Sequence, residues 1–516
     1  MQKKIIPILL IVFFSVLFGT STSGNFFRGD INMIDEGQFS AWANHMIHGK
    51  LLFKDIYITY GPLSVYPLFW LFQIFGASAF LVRLYLTLGG TLGIIATFLL
   101  MQELKLKKWI ATFLLCVFLL IPAFNLRESV GLWALYFLVR SLRDKSIRTS
   151  FLTGVVVALS SLVSPDFGLF VSFVSLVHYV VSCTVDLKTK ENFKLFFSYL
   201  AGFLTILIIF VLWAYSGNWL KDYIVGTVDI VTSISGINVP NGVNFPTPIG
   251  VLSSGNWGGF VKFLVGHEML LYWSICIYFA AVFYIFVKLV QKRIEAQDYA
   301  FALTALFGLL VYTILLTRHG SGHYFYTLPA NLMVSGYFLS KLFGIKRKTI
   351  TIYIFVLFLF LYIARILYLN NPMIRSSLNI SSYFSSQFGS IDRVGLLNIS
   401  PSQTRKIIFY QNFVSKNTTS SDYIFLFDDE PSIYMLVDRV NPTKFDLPFV
   451  GNRMEKRIDI IKDLTSKKPK YVFIDNDAWP VDGISNKVRL PEVYNFIKIH
   501  YSLMDIRENV EIYKLK

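Results

Sequence analysis

The stretch KLFFSYLAGFLTILIIFVLWAY, residues 194–215, carries no charge after Lys194. A helix rises about 1.5 Å per residue, so this run is long enough to cross the ~30 Å hydrocarbon core of a bilayer. Further apolar segments of this character run over about 5–18, 79–101, 109–124, 129–140, 150–163, 167–185, 268–289, 298–316, 324–341 and 350–369. Of the 516 residues, 54% are hydrophobic and only 16% charged, and mean hydropathy is +0.55. Such values exclude a soluble globular chain. The net charge of +16 does not indicate nucleic acid, because the basic residues fall mostly in short loops between apolar runs rather than on one face. Cys116, Cys183 and Cys276 lie in or beside apolar runs and define neither a disulfide framework nor a zinc spacing.

Loop charge sets the topology. Lys3 and Lys4 precede the first apolar run, which reads as an uncleaved span in preference to a signal peptide. Five basic clusters follow, around Lys105–Lys108, Arg140–Arg148, Lys188–Lys194, Lys288–Arg293 and Lys341–Lys348. All five face the cytoplasm with the N-terminus if the apolar stretch 62–76, which contains Pro62 and Pro67, lies at the interface or re-enters. The expectation is a polytopic α-helical membrane protein of about 11 spans, residues 1–371, with the N-terminus in. Its outer face collects the loop 21–78, the turn Asn125–Glu128, the loop 216–267 and the turn Arg318–His323.

Near Asn371-Pro372 the apolar runs give way to mixed sequence, so residues 372–516 read as a small extracytoplasmic α/β domain. Tyr423–Phe427 and Tyr471–Ile474 are expected as buried strands, with a helix between them whose buried face is Met454, Ile458, Ile461 and Leu464. A helix is expected over about Pro491–Tyr501, then a closing hairpin of Ser502–Ile506 and Val510–Leu515. The acids Asp428, Asp429, Glu430, Asp475 and Asp477 fall at strand ends and read as solvated loop acids.

The first outer loop holds an ordered series: Ile34-Asp35-Glu36-Gly37-Gln38-Phe39, Gly49-Lys50-Leu51-Leu52-Phe53-Lys54-Asp55, Tyr60-Gly61-Pro62-Leu63, then Phe75-Gly76-Ala77-Ser78 with Arg83. Over about residues 30–85 this resembles the front end of the GT-C glycosyltransferases, the superfamily of protein O-mannosyltransferases and lipid A aminoarabinose transferases. There a first span leads to an outer loop with an acidic motif, a Gly-led turn, a Pro-Leu helix start and an Arg after Phe-Gly. Members of the aminoarabinose branch carry an acidic and a basic residue before a Pro-Pro-Leu; here Thr59-Tyr60-Gly61-Pro62-Leu63 stands instead.

The resemblance implies a transferase that moves a sugar from a polyprenyl-phosphate carrier to a glycan, lipid or protein acceptor on the outer face. Such transfer needs a base for the acceptor hydroxyl and positive charge for the departing phosphate. Asp35 is the expected base, partly desolvated by Met33 and Ile34. Glu36 and Asp55 are expected to orient sugar hydroxyls or hold a cation. Tyr60 joins the substrate-binding set. Phosphate contacts are expected from Arg318, His319 and His323 of the Gly-containing turn, with Arg83 and Arg127 as secondary cations. A divalent cation is left open, because no clear ligand set supports one. A prokaryotic plasma membrane is the expected setting, with no nucleic-acid partner. A secondary transporter would need internal repeats and mid-span binding groups that are not seen; a noncatalytic scaffold for polymer assembly or export would need only the spans and the tail.

Overall fold

The computed structural model describes residues 2–18, 29–120, 125–185, 189–237, 267–317, 323–343 and 391–516. Backbone contacts divide the chain into two compact units, one of residues 1–24, 86–210 and 241–382, the other of residues 25–85, 211–240 and 383–516. The segment after the first helix therefore groups with the tail rather than with the first helix, which adjoins it in sequence.

The first unit is helical, with residues 79–85 and 211–216, the ends of two of its helices, falling in the second. Helices α1 (Gln2–Phe18), α4 (Ala79–Glu103), α5 (Lys108–Leu120), α6 (Leu126–Asp144), α7 (Ile147–Val163), α8 (Pro165–Val185), α9 (Thr189–Ser216), α11 (His267–Val290), α12 (Ala296–Thr317) and α13 (Leu328–Leu342) coincide with ten of the expected spans. The eleventh, 350–369, lies outside the described residues. Five of the described helices are long and apolar enough to cross a bilayer: α4, α8, α9, α11 and α12. Ile208, Ile209 and Leu212 of α9 and Phe279, Phe283 and Phe286 of α11 are exposed. An apolar surface of this kind suits lipid and is untenable in water. Between α7 and α9 the backbones nearly touch. A Cβ on Gly154 would fall 2.0 Å from the Tyr199 carbonyl, and one on Gly202 would fall 2.1 Å from the Phe151 carbonyl. Paired glycines of this kind let membrane helices approach where hydrophobic drive is weak.

The second unit contains α2 (Asp35–Ile47), α3 (Tyr66–Phe75), α10 (Leu220–Ile237) and the α/β tail. α3 has ten residues, about 15 Å of helix, too short to cross a bilayer. In the tail, β1 (Ile424–Leu426), β2 (Tyr471–Asp475), β3 (Tyr501–Arg507) and β4 (Val510–Leu515) form a sheet in the order β1-β2-β4-β3. β1 and β2 are parallel, pairing Phe425 with Val472, and both are buried along their length, as parallel strands covered on both faces must be. The expected hairpin is present: β3 and β4 pair antiparallel through Glu508 and Asn509, at φ +48° and +61°, the left-handed pair that a tight two-residue turn requires. Helices α14 (Pro401–Asn417), α15 (Ser432–Leu436), α16 (Met454–Lys467), α17 (Asn486–Arg489) and α18 (Pro491–His500) complete the domain.

One expected face is corrected. On α16, Met454 and Ile458 are exposed, while Lys456, Ile460 and Leu464 are buried. The three buried positions are four apart, one helix face. The aliphatic stem of Lys456 occupies a place that the apolar pattern had assigned elsewhere.

Candidate functional site

The site in the second unit is built on a cap. Asn32 Oδ1 accepts the backbone N–H of Ile34 at 3.1 Å and of Asp35 at 2.8 Å, satisfying donors that the start of α2 would leave open. Asn32 Nδ2 donates to Asp35 Oδ2 at 2.9 Å, and the Asn32 N–H donates to Glu36 Oε2 at 3.0 Å. Both acids thus lie at a helix N-terminus, where negative charge is favoured.

Adjacent residues on a helix do not face the same way, and the two acids part here. Asp35 is exposed. The desolvation expected from Met33 and Ile34 is absent, because Met33 is buried and Ile34 packs against the core of the tail domain. Glu36 turns inward to Arg83, on the first turns of α4. Arg83 Nε donates to Glu36 Oε1 at 2.9 Å and Nη2 to Oε2 at 3.0 Å. Its remaining donors reach the carbonyls of Gly29 at 3.1 Å and Asp30 at 2.9 Å. Glu36 is 1% exposed and Arg83 0%. The roles expected of Glu36 toward sugar and of Arg83 toward phosphate therefore meet a pair whose charged groups are turned to each other.

The same segment is stitched to α14. Asp30 accepts from Ser400 N–H at 2.7 Å and from its hydroxyl at 2.9 Å. The Gln403 side chain exchanges two hydrogen bonds with the Ile31 backbone. Gly37 permits the packing of α2 on α15: a Cβ there would lie 2.8 Å from Ser432 N and Oγ.

Asp55 closes its own loop, accepting from Leu51 N–H at 3.0 Å. Tyr60 stacks on Phe39, ring centroids 5.6 Å apart, and meets Trp42 edge-on at 5.8 Å. Beyond the loop's middle, Lys50 donates to the Asn441 carbonyl, and burial brings its pKa down to about 8. His45 and Asp446 form a buried pair at 2.8 Å.

Of the expected phosphate contacts, Arg318 and His319 lie outside the described residues. His323 begins a 3-10 segment, His323–Thr327, before α13. Arg127, in the first unit, donates to Ser164 Oγ at 3.0 Å and to Asp166 at 2.5 Å, between the rings of Phe167 and Tyr326. Beside it Glu128 is buried at 1% exposure, a carboxylate that the sequence reading placed in a turn without giving it a role.

The tail acids are the other surprise. Asp428, Asp429, Glu430 and Asp475 are buried rather than solvated. Lys406 of α14 pairs with Glu430 at 3.0 Å and with Asp475, while Asp428 accepts the Asp475 N–H at 2.9 Å. Burial pushes Asp428 and Glu430 well up from the carboxylate range, and burial raises Asp429 from 3.8 to about 6. Between the ordinary and raised values the folded state holds more protons than the unfolded one, so stability falls as pH rises from 3.8 through about 6. Removing the ammonium should sharpen this. Lys406→Met is expected to cost about 1–3 kcal/mol at pH 8 and less at pH 5, where the carboxyls retain protons. Thermal unfolding of the purified protein at the two pH values checks it. Among the described residues no group of three or more His, Cys, Asp or Glu is arranged to hold a metal ion.

Fold and site together define a multi-pass helical membrane protein in which the segment after the first helix packs with an α/β domain. No protein-family model matches the chain, and no curated protein matches it. Among solved structures, the crystal structure of ArnT from Cupriavidus metallidurans in the apo state is similar, 13% identical over 98% of this chain and 96% of that one, with a TM-score of 0.43. At that identity and score the likeness assigns neither a family nor any residue's role.

Proposed function

We propose that the protein is a membrane glycosyltransferase that moves a sugar from a polyprenyl-phosphate carrier to an acceptor hydroxyl on the outer face, by direct inverting transfer with Asp35 as general base. The observation that carries the reading is the outer-loop acid itself: an exposed carboxylate at the head of α2, fixed through Asn32 and backed by the buried Glu36–Arg83 pair. In the reaction the acceptor O–H gives its proton to Asp35 while its oxygen attacks the anomeric carbon. The bond from that carbon to the phosphate oxygen breaks, and the phosphate leaves with the electron pair. Asn32 Nδ2 donates to one carboxylate oxygen and orients the group at the head of α2.

Purified protein supplied with polyprenyl-phosphate sugars and a hydroxyl acceptor tests the reading. Wild type that transfers none of them, yet is required for exporting a polymer, replaces the enzyme with a scaffold. The orientation has its own check. With Cys116, Cys183 and Cys276 replaced, Glu508→Cys at the exposed hairpin turn is expected to react with an impermeant maleimide on intact cells. Labelling only after the cells are lysed would place the tail inside.

A further inference from the structure

Lys406 of α14 is an amine set against a buried carboxyl group. Its Nζ touches Asp475 Oδ2, at the end of β2, and lies 3.0 Å from Glu430 Oε2, in the segment that follows β1. Glu430 Oε1 accepts a hydrogen bond from the same Nζ at 3.2 Å. The Asp475 side chain is 0% exposed and that of Lys406 17%. Among the described residues Asp475 Oδ2 has no hydrogen-bond partner, although Nζ stands against it. The nitrogen therefore approaches Asp475 off the direction in which a carboxylate oxygen accepts a hydrogen bond.

The other Asp475 oxygen is held in place. Oδ1 accepts the Asp477 N–H at 2.8 Å, and the Asp475 N–H donates to Asp428 at 2.9 Å. A donor fixed on Oδ1 stabilises the negative charge that develops there when a nucleophile attacks Cγ. Oδ2 is left as the oxygen to depart. Tyr410, one helical turn beyond Lys406, is fully buried and packs edge-on against Phe473 of β2 at 5.4 Å. Its hydroxyl and Asp428 Oδ1 likewise have no hydrogen-bond partner among the described residues. Three acids thus face one ammonium where water is scarce, and such a setting favours amine and carboxylic acid over separated charges. Burial lifts Glu430 to about 7. Burial lowers Lys406, but the charges of Glu430 and Asp475 reverse that shift, so the amine is freed by passing its proton to one of them.

We propose that Lys406 and Asp475 condense to an intramolecular isopeptide bond, with Glu430 as the proton carrier. The ion pair described above is the reactant. The ammonium gives a proton to Asp475 Oδ2, and the nitrogen lone pair then attacks Cγ while the carbonyl electron pair moves to Oδ1. The Glu430 carboxylate takes a proton from the nitrogen and returns it to Oδ2. The Cγ–Oδ2 bond breaks, water leaves with the electron pair, and the carbonyl re-forms at Oδ1. One ammonium and one carboxylate become one amide and one water, with Glu430 unchanged. Holding the two groups in contact supplies the effective concentration that the condensation lacks in free solution.

The bond joins α14 to β2, which are far apart in sequence, and a covalent closure of that kind removes freedom from the unfolded chain. Through Ser400 and Gln403, α14 also holds Asp30 and Ile31, so the link stiffens the platform on which the head of α2 rests. It forms without any substrate and stands independently of the transferase reading.

Full-length protein purified in detergent, digested with trypsin and mapped by mass spectrometry, provides the test. Wild type is expected to yield a branched peptide containing Lys406 and Asp475, lighter than its two parts by one water, and to resist cleavage after Lys406. Lys406→Arg keeps the positive charge and Asp475→Ala removes the electrophile; each is expected to abolish the branched peptide. Glu430→Gln is expected to slow bond formation about 10²- to 10⁴-fold, so that freshly purified protein is open and cleaved after Lys406. Wild type that yields only the two linear peptides overturns the proposal, whether or not any variant folds. So does a bond mapped to Glu430 in place of Asp475. A Glu430→Gln protein linked as fully as wild type overturns the assignment of Glu430 as carrier. A bond found in protein that transfers no sugar upholds the inference and counts against the transferase reading alone.

Discussion

Asp35→Asn is expected to reduce transfer from a polyprenyl-phosphate sugar by about 10²- to 10⁴-fold, the usual cost of losing a general base, while the protein remains folded. The substitution keeps the size of the side chain and one carbonyl oxygen to accept from Asn32 Nδ2, which lies 2.9 Å from Asp35 in the native protein. It removes the ability to take a proton. Because Asp35 is exposed, neither burial nor a core contact stands in the way of the change, and the main-chain cap from Asn32 to the Ile34 and Asp35 N–H groups is retained. Single-turnover rates with donor saturating, beside thermal unfolding of the same preparation, separate chemistry from folding. A purified Asp35→Asn protein that transfers at the wild-type rate defeats the assignment of the base. A protein that loses both transfer and its unfolding transition says nothing for the base and points to a structural role for the carboxylate.

The apolar helices were legible because apolar length is a long, redundant signal: ten expected segments coincide with described helices, five of them long and apolar enough to cross a bilayer. The hairpin was legible for a local reason, two β-rich runs flanking Glu508 and Asn509, which both adopt positive φ. Side-chain direction was not. Asp35 and Glu36 read as one acidic pair, yet the helix turns one outward and the other into Arg83, 47 residues away. Nothing local marks such a partner. The same limit hid the Lys406 cluster, since Lys406, Glu430 and Asp475 come together only when β1, β2 and α14 are in place. Met454 and Ile458 misled because an apolar residue on a helix is not obliged to be buried, whereas the stem of Lys456 can be. The loop's grouping with the tail, rather than with the neighbouring spans, likewise depends on contacts such as Asp30 with Ser400 and Ile31 with Gln403, each about 370 residues apart in sequence.

Breaking the Glu36–Arg83 pair is expected to be the largest stability effect in the segment between the first helix and α4. Arg83→Met leaves a carboxylate at 1% exposure without its partner and releases the Gly29 and Asp30 carbonyls that the guanidinium also holds. Removing one member of a buried ion pair costs about 3–5 kcal/mol, chiefly because the other charge stays buried alone. Glu36→Gln retains the acceptor for the Asn32 N–H but deprives Arg83 of its counter-charge, so its loss should fall in the same range. The double variant Glu36→Gln/Arg83→Met removes both charges and is expected to recover part of the loss, so the two single effects will not add. Because Asp30 and Ile31 tie this segment to α14, the loosening should reach residues 400–403 and appear there as faster hydrogen exchange. Chemical unfolding of the three variants in detergent measures the energies. Full stability in Glu36→Gln together with a collapse of transfer would return Glu36 to the sugar and remove the pair as the brace that holds Asp35.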